Sequence, residues 1–322
     1  MSVVLEEVGA NIVESLERIL SRLQWKEIIS TGSKVALKLN LCDSNPRKGV
    51  VTSPEVVKSL ISILSERTDD IIAVESDGNL IDADTAYRAT GMKEAINEVG
   101  ARFVNLSKDA KRVITPKNTL YLRKYMLPRT LEEADVLITL PLLKTHELTL
   151  FTGAIKNQFG CYPQHNRVLL HSHLDEALVD INWVLRPKLA IMDARTAIQG
   201  NGPTRGYPVK MGLFLGSRDL VALDAVALHL MCIEPERVSH VCLAGRRGLG
   251  KIKDLETDWA MVNKHRRKFL LPYDDAGNRF QKMLLSHHAL TRVFFDSPLK
   301  YPLVRFGRII RKALLHGKTD YF

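Results

Sequence analysis

Strand-like and helix-like stretches alternate along most of the chain, and this alternation constrains the fold more than any other feature. Alternating or β-branched apolar patterns predict strands at residues 33–41, 71–74, 102–106, 134–140, 189–192 and 209–215. Amphipathic spacing predicts helices at residues 12–23, 53–65, 83–99, 148–159, 174–185 and 219–231. Such alternation predicts an α/β fold with a mixed, largely parallel sheet flanked by helices.

Charge divides the chain into two parts. The 322 residues carry a formal net charge of +10. Residues 263–322 contain 13 Lys/Arg and 4 Asp/Glu, a net charge of +9, whereas residues 1–262 contain 33 and 32, a net charge of +1. We therefore expect an α/β domain over residues 1–262, followed by a basic, partly amphipathic C-terminal extension over residues 263–322.

The cysteines and the apolar stretches bear on the compartment. The four cysteines form no C-x-x-C pair, which disfavours an intrinsic [4Fe–4S] cluster or a zinc ribbon and favours a reducing compartment. The first residues lack the basic and apolar regions of a signal peptide. The apolar stretch Val136–Leu143 is much shorter than the roughly 18 residues that span a bilayer. We expect a cytoplasmic protein.

Polar side chains follow several predicted strands. Lys38 and Asn40 end the first strand, and Glu75 and Asp77 end the next. Asp193 follows a later strand, and Ser217 and Asp219 follow another. The carboxyl ends of parallel strands meet at one edge of a sheet, where α/β proteins bind ligands. The sequence therefore predicts a site at this edge, although strand-to-helix loops are often simply polar and solvated.

Two segments in the middle of the chain carry further candidate residues. Lys144 and His146 follow an apolar stretch and, two residues apart in extended chain, point the same way. Lysine binds phosphate or carboxylate, and histidine transfers protons near neutral pH. On the helix expected at residues 148–159, Lys156 and Asn157 share a face with Gly153 and Gly160. Ordinary helix packing and a solvated loop are the alternatives.

Three other features leave alternatives open. The loop around Gly200 and Gly202 is either an anion-binding nest of backbone amides or a wide turn, and its spacing is not the dinucleotide fingerprint. His171 and His173 have metal-ligand spacing, but they also precede a predicted helix start, and one of them could instead take a polar role in the site. Cys161 is either a reactive thiolate or a structural thiol. The motifs of P-loop NTPases, α/β-hydrolases and zincin proteases do not occur in the sequence.

Taken together in chain order, these motifs resemble the domain-of-unknown-function 362 family, whose members are often labelled as iron–sulfur-associated proteins. The resemblance covers about residues 33–250. It is carried by segments 38–40, 52–57, 90–91, 134–136, 140–146, 152–160, 193, 200–203, 219 and 224–225. It implies a mixed α/β fold and a site that uses these residues, but it implies no reaction. Many members also carry a ferredoxin-like cluster module, and the cysteine spacing of this chain departs from that pattern.

We expect an enzyme that acts on a small anionic substrate or cofactor, with an isomerase-like or oxidoreductase reaction. His146 would transfer protons, Asp193 would orient a base or bind a cation, and the lysines would hold the anion. No resident metal is predicted, and the cofactor is left open. The predicted catalytic residues are Lys144, His146, Lys156 and Asp193, and the predicted binding residues are Lys38, Asn40, Asn157, Gly200 and Gly202.

A non-catalytic role is the alternative, in which the chain carries a cofactor or electrons and works with a separate ferredoxin-like partner. The C-terminal extension adds another expectation. Residues 304–314 interleave apolar and basic side chains at helical spacing, which suits peripheral contact with an anionic membrane or packing on the body or on a second copy of the chain. The sequence contains no nucleic-acid-binding motif to support the charge.

Overall fold

The computed structural model describes residues 2–78, 81–164, 167–273 and 276–297. The strands within these ranges are β1 (Val3–Glu7), β2 (Val35–Lys38), β3 (Ile71–Glu75), β4 (Arg102–Asn105), β5 (Lys111–Ile114), β6 (Tyr125–Pro128), β7 (Val136–Thr139), β8 (Leu142–His146), β9 (Leu150–Thr152), β10 (Leu189–Gln199) and β11 (Tyr207–Ser217).

The α-helices of the described residues are α1 (Ile12–Arg22), α2 (Trp25–Ile28), α3 (Pro54–Leu64), α4 (Ala83–Ala89), α5 (Met92–Glu98), α6 (Arg129–Glu132), α7 (Ala154–Asn157), α8 (Leu174–Leu185), α9 (Leu220–Leu230), α10 (Ser239–Arg246), α11 (Trp259–His265), α12 (Ala276–Ser286) and α13 (His288–Asp296). Short 3-10 helices lie at Gln158–Cys161, Arg167–His173 and Pro235–Arg237.

The main sheet has nine strands. Its central path runs in the order β1–β11–β10–β7–β2–β3–β4, and β8 and β9 join it beside β10. The strands from β10 to β4 pair in parallel, as do β10 and β8, whereas β11 is antiparallel to both of its neighbours. A separate antiparallel hairpin is formed by β5 and β6. The predicted α/β fold, with its mixed, largely parallel sheet flanked by helices, is confirmed.

Helices cover both faces of the sheet because the central strands are apolar on both sides, as buried parallel strands are. Val35 and Leu37 of β2 pack under α1, α3 and α5, whereas Ala36 faces the other side. On that other side, Ala190 and Met192 of β10 pack under α8, α9 and α10. This three-layer arrangement leaves the carboxyl ends of the parallel strands along one edge, where the predicted site residues gather.

The prediction of a single helix over residues 148–159 is wrong. Residues 150–152 form β9, which pairs antiparallel with β8, and the helix α7 covers only residues 154–157. The reason is tertiary: pairing with β8 places Phe151 in the core with no exposed surface, which local spacing cannot indicate. Lys144 and His146 therefore lie within a strand, and Lys156 lies on a one-turn helix that follows a hairpin.

The predicted end of the strand that precedes Asp193 is also wrong. β10 continues to Gln199 because it forms a long antiparallel hairpin with β11, so Asp193 lies within the strand. Since β11 runs against β10, Ser217 and Asp219 lie at the opposite edge of the sheet from the ends of β2 and β3. Asp219 caps α9 there by accepting a hydrogen bond from the Ala222 amide at 2.9 Å.

The predicted domain boundary at residue 262 falls within α11, and the division stays a prediction. Beyond it, Phe269 is buried in the core, and the Arg267 amide donates to the Leu230 carbonyl at 2.8 Å. The amphipathic segment predicted at residues 304–314 lies outside the described residues. Of the helices that the structure describes, none combines the length and the apolar character required to cross a membrane.

Candidate functional site

Five elements bring polar side chains together at the carboxyl edge of the parallel sheet. β2 ends at Lys38, β3 ends at Glu75, and β7 ends at Thr139. Strand β8 contributes Lys144 and His146, and α7 contributes Lys156 and Asn157. Most of these side chains are buried, with Lys38 and Lys144 among the largest fully buried side chains of the described residues.

Lys38 and Glu75, called here the lysine–glutamate pair, form a buried ion pair. The Lys38 Nζ atom lies 2.8 Å from Oε1 and 2.9 Å from Oε2 of Glu75, and it also donates to the Leu39 carbonyl. Glu75 accepts further hydrogen bonds from the backbone amides of Leu41 and Ser76. Lys38, predicted to bind an anionic ligand, thus has an internal carboxylate partner, and the pair fixes the ends of β2 and β3 to each other.

Gly160 is part of this arrangement because nothing larger fits there. A Cβ atom at this position would lie 2.4 Å from Oε1 of Glu75 and 2.6 Å from Nζ of Lys38. The Gly160 carbonyl accepts a hydrogen bond from the Ser76 hydroxyl, which in turn accepts one from Arg167 at 2.6 Å. The family motif residue Gly160 therefore allows the 3-10 helix after α7 to close over the ion pair.

A chain of hydrogen bonds connects Lys144 to the end of β7. Lys144 donates to Oδ1 of Asn40 at 2.9 Å, Asn40 donates to Oδ1 of Asn157 at 3.0 Å, and Asn157 donates to the Thr139 hydroxyl at 2.8 Å. Since lysine is only a donor, the orientation of both amides follows from it. The predicted residues Asn40, Asn157 and Lys144 are therefore brought together and oriented by one another.

Lys144 is buried without a carboxylate partner. Its ammonium donates to the Val50 carbonyl at 2.8 Å and lies 3.6 Å from the Cys42 sulfur, and it forms no ion pair within the described residues. Burial lowers the pKa of Lys144 below its ordinary value, although the Cys42 sulfur opposes this shift.

His146 is held as a neutral imidazole. Its Nδ1 atom accepts a hydrogen bond from the Leu148 amide at 3.1 Å, which leaves the ring proton on Nε2. Burial lowers the pKa of His146 well below its ordinary value, and the positive charge of Lys156 lowers it further. At neutral pH the ring therefore offers an N–H group from Nε2.

Lys156 stands out among the lysines of the site. Its side chain is partly buried, and among the described residues it forms no hydrogen bond or ion pair; its ammonium lies 5.9 Å from the centre of the Phe159 ring. Burial, with the nearby charge of Lys144, lowers the pKa of Lys156 from 10.5 to about 8. At pH 7 this lysine is mostly protonated and lacks a counter-charge.

Two further histidines line the same region. His171 donates from Nδ1 to the Val168 carbonyl at 2.8 Å, so its neutral ring carries a lone pair on Nε2. His240 is fully buried on α10, and its Nε2 atom has no hydrogen-bond partner among the described residues. Burial lowers the pKa of His171 to about 4 and that of His240 to about 3, and the charge of Lys156 adds to both shifts.

These residues form one electrostatic unit, called here the basic cluster, which consists of Lys144, His146, Lys156, His171 and His240. Burial lowers the pKa of all three histidines, and the charge of Lys156 adds to each shift. Arg167 adds a further positive charge, and its guanidinium lies 5.4 Å from the centre of the same Phe159 ring that Lys156 approaches. The cluster thus gathers positive charge and neutral imidazoles without an ion pair to either lysine.

Asp224 supports the position of Lys156. Its buried carboxylate accepts hydrogen bonds from the amides of Ala154 and Ile155 at 2.6 and 3.0 Å, at the start of α7. Burial raises the pKa of Asp224 to about 7. A Cβ atom on Gly153 would lie 2.1 Å from this carboxylate, so the glycine is required for the contact.

Asp193 lies apart from the basic cluster. Its carboxylate pairs with the Arg195 guanidinium at 2.9 Å, and Arg195 also pairs with Glu55 of α3 at 3.0 Å. Asp193 forms no hydrogen bond or ion pair with a member of the basic cluster in the part of the chain that the structure describes. Of the four predicted catalytic residues, the structure therefore brings together Lys144, His146 and Lys156.

The loop at Gly200 and Gly202 packs against β8. The Gly200 amide donates to the Leu270 carbonyl and the Gly202 amide to the Gly200 carbonyl, each at 2.8 Å. The Gly200 carbonyl accepts from the Thr145 hydroxyl, and a Cβ atom on Gly202 would lie 2.0 Å from the Thr145 carbonyl oxygen. Both amides are thus engaged within the chain, and the loop braces the strand that carries Lys144 and His146.

Cys161 and a cavity elsewhere in the molecule do not contribute to the basic cluster. Cys161 is buried, which raises the pKa of its thiol to about 12 and keeps it protonated. Among the described residues no three His, Cys, Asp or Glu side chains group as metal ligands would. A cavity of about 530 Å³ lies at the amino-terminal edge of the sheet, away from the basic cluster, and is lined in part by Asp135, Asn182 and Arg218.

Sequence patterns indicated some of these residues but not their partners, and they missed His240. Glu75 ends a predicted strand, but nothing local indicates that it pairs with Lys38, which lies 37 positions earlier. His171 was noticeable only through its spacing from His173. His240 lies on α10, outside the family motifs, and its role emerges only from the packing of α10 against α7 and α8.

Two known proteins are similar to this chain. A curated relative, the thylakoid-associated protein sll1697 of Synechocystis sp., is 28% identical over 251 residues, which are 75% of this chain and 76% of that protein. The lactate racemase apoprotein from Thermoanaerobacterium thermosaccharolyticum aligns with a TM-score of 0.47 and 13% identity, over 72% of this chain and 57% of that one.

The sequence profile of a family described as a domain of unknown function, DUF362, matches residues 35–229. This range includes β2, β3, β7, β8 and α7, the elements that carry the lysine–glutamate pair and most of the basic cluster. Because the match spans more than half of the chain, the protein belongs to the DUF362 family.

Proposed function

We propose that the protein is an enzyme that transfers protons on a small anionic substrate bound at the basic cluster. The observation that carries this proposal is Lys156: its ammonium has no counter-charge among the described residues, and its charge adds to the lowered pKa of three histidines that are neutral at pH 7. An anion bound beside Lys156 would supply the missing counter-charge, and opposite charges within about 4–6 Å favour the charged form of both groups.

The two histidine tautomers suit complementary roles in such a reaction. His146 presents an N–H group and would donate a hydrogen bond to a substrate oxygen. His171 presents a lone pair on Nε2 and would accept a proton as a base. Lys156 would hold the carboxylate or phosphate group, with Lys144 and the amides of Asn40 and Asn157 fixing the neighbouring strands. This reaction class is isomerase-like and requires no net redox change.

Proton exchange with solvent tests this proposal. The purified full-length protein would be incubated in D₂O with pools of small carboxylates and phosphate esters, and deuterium incorporation measured by mass spectrometry. We expect deuterium at a carbon-bound position of one substrate with the wild type, and loss of about a hundredfold or more of the rate with His171→Gln, the usual range for a lost acid–base group. Exchange that is equally fast with His171→Gln would refute the assignment of His171 as the base.

The alternative function is a carrier that delivers a cofactor or electrons together with a separate ferredoxin-like partner. It is supported by the label often given to relatives of the family rather than by a contact of the described residues. Mass-spectrometric and elemental analysis of the purified protein separates the two functions. A tightly retained ligand that undergoes no turnover would favour the carrier, whereas turnover of a free substrate would exclude it.

We also propose that the protein works in the cytoplasm at a membrane surface. The support is the printed name of the Synechocystis relative, which describes that protein as thylakoid-associated, together with the basic C-terminal region of this chain. Cell fractionation tests the location: we expect the protein with the membranes at low salt and its release at high salt, because screening weakens surface electrostatic attraction. Recovery in the supernatant at every salt concentration would contradict this location.

A further inference from the structure

Helices α12 and α13 expose large apolar side chains to solvent. Phe280 and Met283 of α12 are 57% and 48% exposed, and Leu290 and Val293 of α13 are 47% and 74% exposed. These four residues are called here the α12–α13 face. A patch of large apolar side chains on a protein surface often marks an interaction site.

The α12–α13 face points away from the body of the protein. Successive residues of an α-helix are rotated by about 100°, so Phe280 and Met283 lie about 200° and 140° around α12 from the buried Asn278. On α13, Val293 lies about 200° from the buried Thr291 in the same way. The inner side of α12 carries the buried Leu285 and that of α13 the partly buried Phe294 and Phe295, so each helix has apolar side chains on its outer side as well as on its inner side.

Basic side chains border this face. Arg279, Lys282 and Arg292 are exposed on the same two helices. The sequence from residue 276 to the end contains nine Lys/Arg and two Asp/Glu, a net charge of +7. Apolar side chains on one side of a helix, with basic side chains beside them, are the pattern of helices that lie in the interface of an anionic membrane.

We propose that the α12–α13 face docks on an anionic lipid bilayer, with its four apolar side chains in the headgroup–acyl boundary and Arg279, Lys282 and Arg292 against the lipid phosphates. This inference rests on the proposed membrane location and names the surface responsible. The positive charge beside this face argues against the other possible occupants, because they are also basic. A second copy of the chain would bring the same basic residues face to face, and residues 298–322 carry a net charge of +5 themselves.

Docking of this face would place the basic cluster beside the membrane. Both α12 and α13 pack against the 3-10 helix Arg167–His173, which carries Arg167 and His171. The wall of the proposed site is therefore the layer directly behind the docking helices. Substrates that partition into the membrane interface, such as amphiphilic anions, would be the class with most direct access.

Vesicle binding by the full-length protein tests the inference. The vesicles would contain phosphatidylcholine with phosphatidylglycerol, or phosphatidylcholine alone, and binding would be measured by co-sedimentation. The variants are Val293→Ser, the double variant Phe280→Ser/Val293→Ser, and the matched control Val113→Ser, which changes a 57% exposed valine on β5. Since all three positions are exposed, circular dichroism is expected to show unchanged folding.

We expect the wild type and Val113→Ser to bind the phosphatidylglycerol vesicles equally, and the double variant to bind about tenfold more weakly, as the loss of a few buried carbon groups predicts. Absence of wild-type binding to either vesicle would overturn both the membrane location and this inference. Equal binding by the wild type and the double variant would overturn the α12–α13 face alone. Wild-type self-association that the double variant abolishes, without vesicle binding, would identify a second copy as the occupant instead.

Discussion

The carboxyl edge of the sheet contains two regions that treat a buried positive charge in opposite ways. In the lysine–glutamate pair, Lys38 is matched by Glu75, and the carboxylate also accepts two backbone amides. In the basic cluster, Lys156 has no carboxylate partner in the part of the chain that the structure describes, and its charge adds to the lowered pKa of three histidines. In the first region the positive charge is neutralised within the chain, whereas we propose that an anion from outside the chain neutralises the second.

This difference shows why residue type alone does not identify a ligand site. Lys38 and Lys156 both belong to the family motifs, and both were expected to hold an anion. A buried ion pair fixes local geometry, and removing one partner is costly, while replacing both by apolar groups is often nearly neutral. We therefore assign Lys38 to the architecture of the site and Lys156 to ligand binding.

The largest expected effect comes from removing the charge of Glu75. Glu75→Gln leaves the Lys38 ammonium buried without a counter-charge, which should lower the free energy of unfolding by about 3–5 kcal/mol. Urea denaturation measures this change. The matched control is Glu98→Gln, which breaks the exposed pair with Lys58 and should cost less than about 1 kcal/mol. Equal losses of unfolding free energy in the two variants would show that the buried lysine–glutamate pair contributes no more to stability than an exposed ion pair.

A somewhat smaller effect is expected from filling the space above the pair. Gly160→Ala places a methyl group within 2.6 Å of Lys38 and Glu75, and overpacking of this kind should destabilise the fold by about 1–3 kcal/mol. Gly9→Ala is the control, because no atom lies within 4 Å of the added carbon there. If thermal denaturation gave the same midpoint for both variants, the close approach of Gly160 would have no energetic importance.

The stability of Lys156→Met relative to the wild type should depend on pH. The pKa of Lys156 is about 8 in the folded protein and 10.5 ordinarily, so the folded state disfavours the protonated form. This cost is complete below pH 8 and is relieved as the pH rises towards 10.5. Below pH 8 the variant should therefore be more stable than the wild type by about 1 kcal/mol, a discounted value for a partly exposed group.

Urea denaturation of both proteins from pH 7 to pH 10 provides the check. The difference in unfolding free energy between Lys156→Met and the wild type should shrink with rising pH, because only the wild type loses the lysine proton. Lys26→Met serves as a control, since the Lys26 ammonium pairs with Glu66 at the surface. A difference that stays constant across this range would mean that Lys156 carries no unfavourable charge in the folded state.

The smallest effect on stability is expected at His240. Its Nε2 atom has no hydrogen-bond partner among the described residues, so His240→Leu removes a buried polar group without breaking a described hydrogen bond of that atom. The free energy of unfolding should change by less than about 1 kcal/mol. Substrate affinity should nevertheless fall if Nε2 contacts the ligand. The free energy of unfolding and the substrate affinity would both be measured on this variant. Lower stability with unchanged affinity would show that His240 has a purely structural role.

The sequence predicts much of the fold because strong local patterns determine it. The helix over residues 12–23 appears as α1 at Ile12–Arg22, and the strand at residues 71–74 appears as β3. Such elements need only one buried face and a clear period. The β8–β9 hairpin escaped prediction because its strands are short and are stabilised by pairing with each other and with β10.

The site was predictable only in part for a related reason. Lys144, His146 and Lys156 are residue types whose chemistry suggests a site, and they do come together. The pairing of Lys38 with Glu75, and the contact of Asp224 with the amides at the start of α7, join residues 37 and about 70 positions apart. No local pattern indicates such partners, so the sequence could not separate Lys38, which has an internal carboxylate partner, from Lys156, which we propose to bind the ligand.

The charge state of Lys156 with and without an anion tests the central claim most directly. Carbon-13 NMR of lysine-labelled protein would follow the Lys156 side chain through a pH titration, with Lys156→Met to assign the signal. We predict a pKa of about 8 in the anion-free protein and a rise of at least about one unit with saturating oxalate or inorganic phosphate, because a bound anion favours the protonated amine. A pKa near 10.5 without an anion, or one that neither anion changes, would contradict the account.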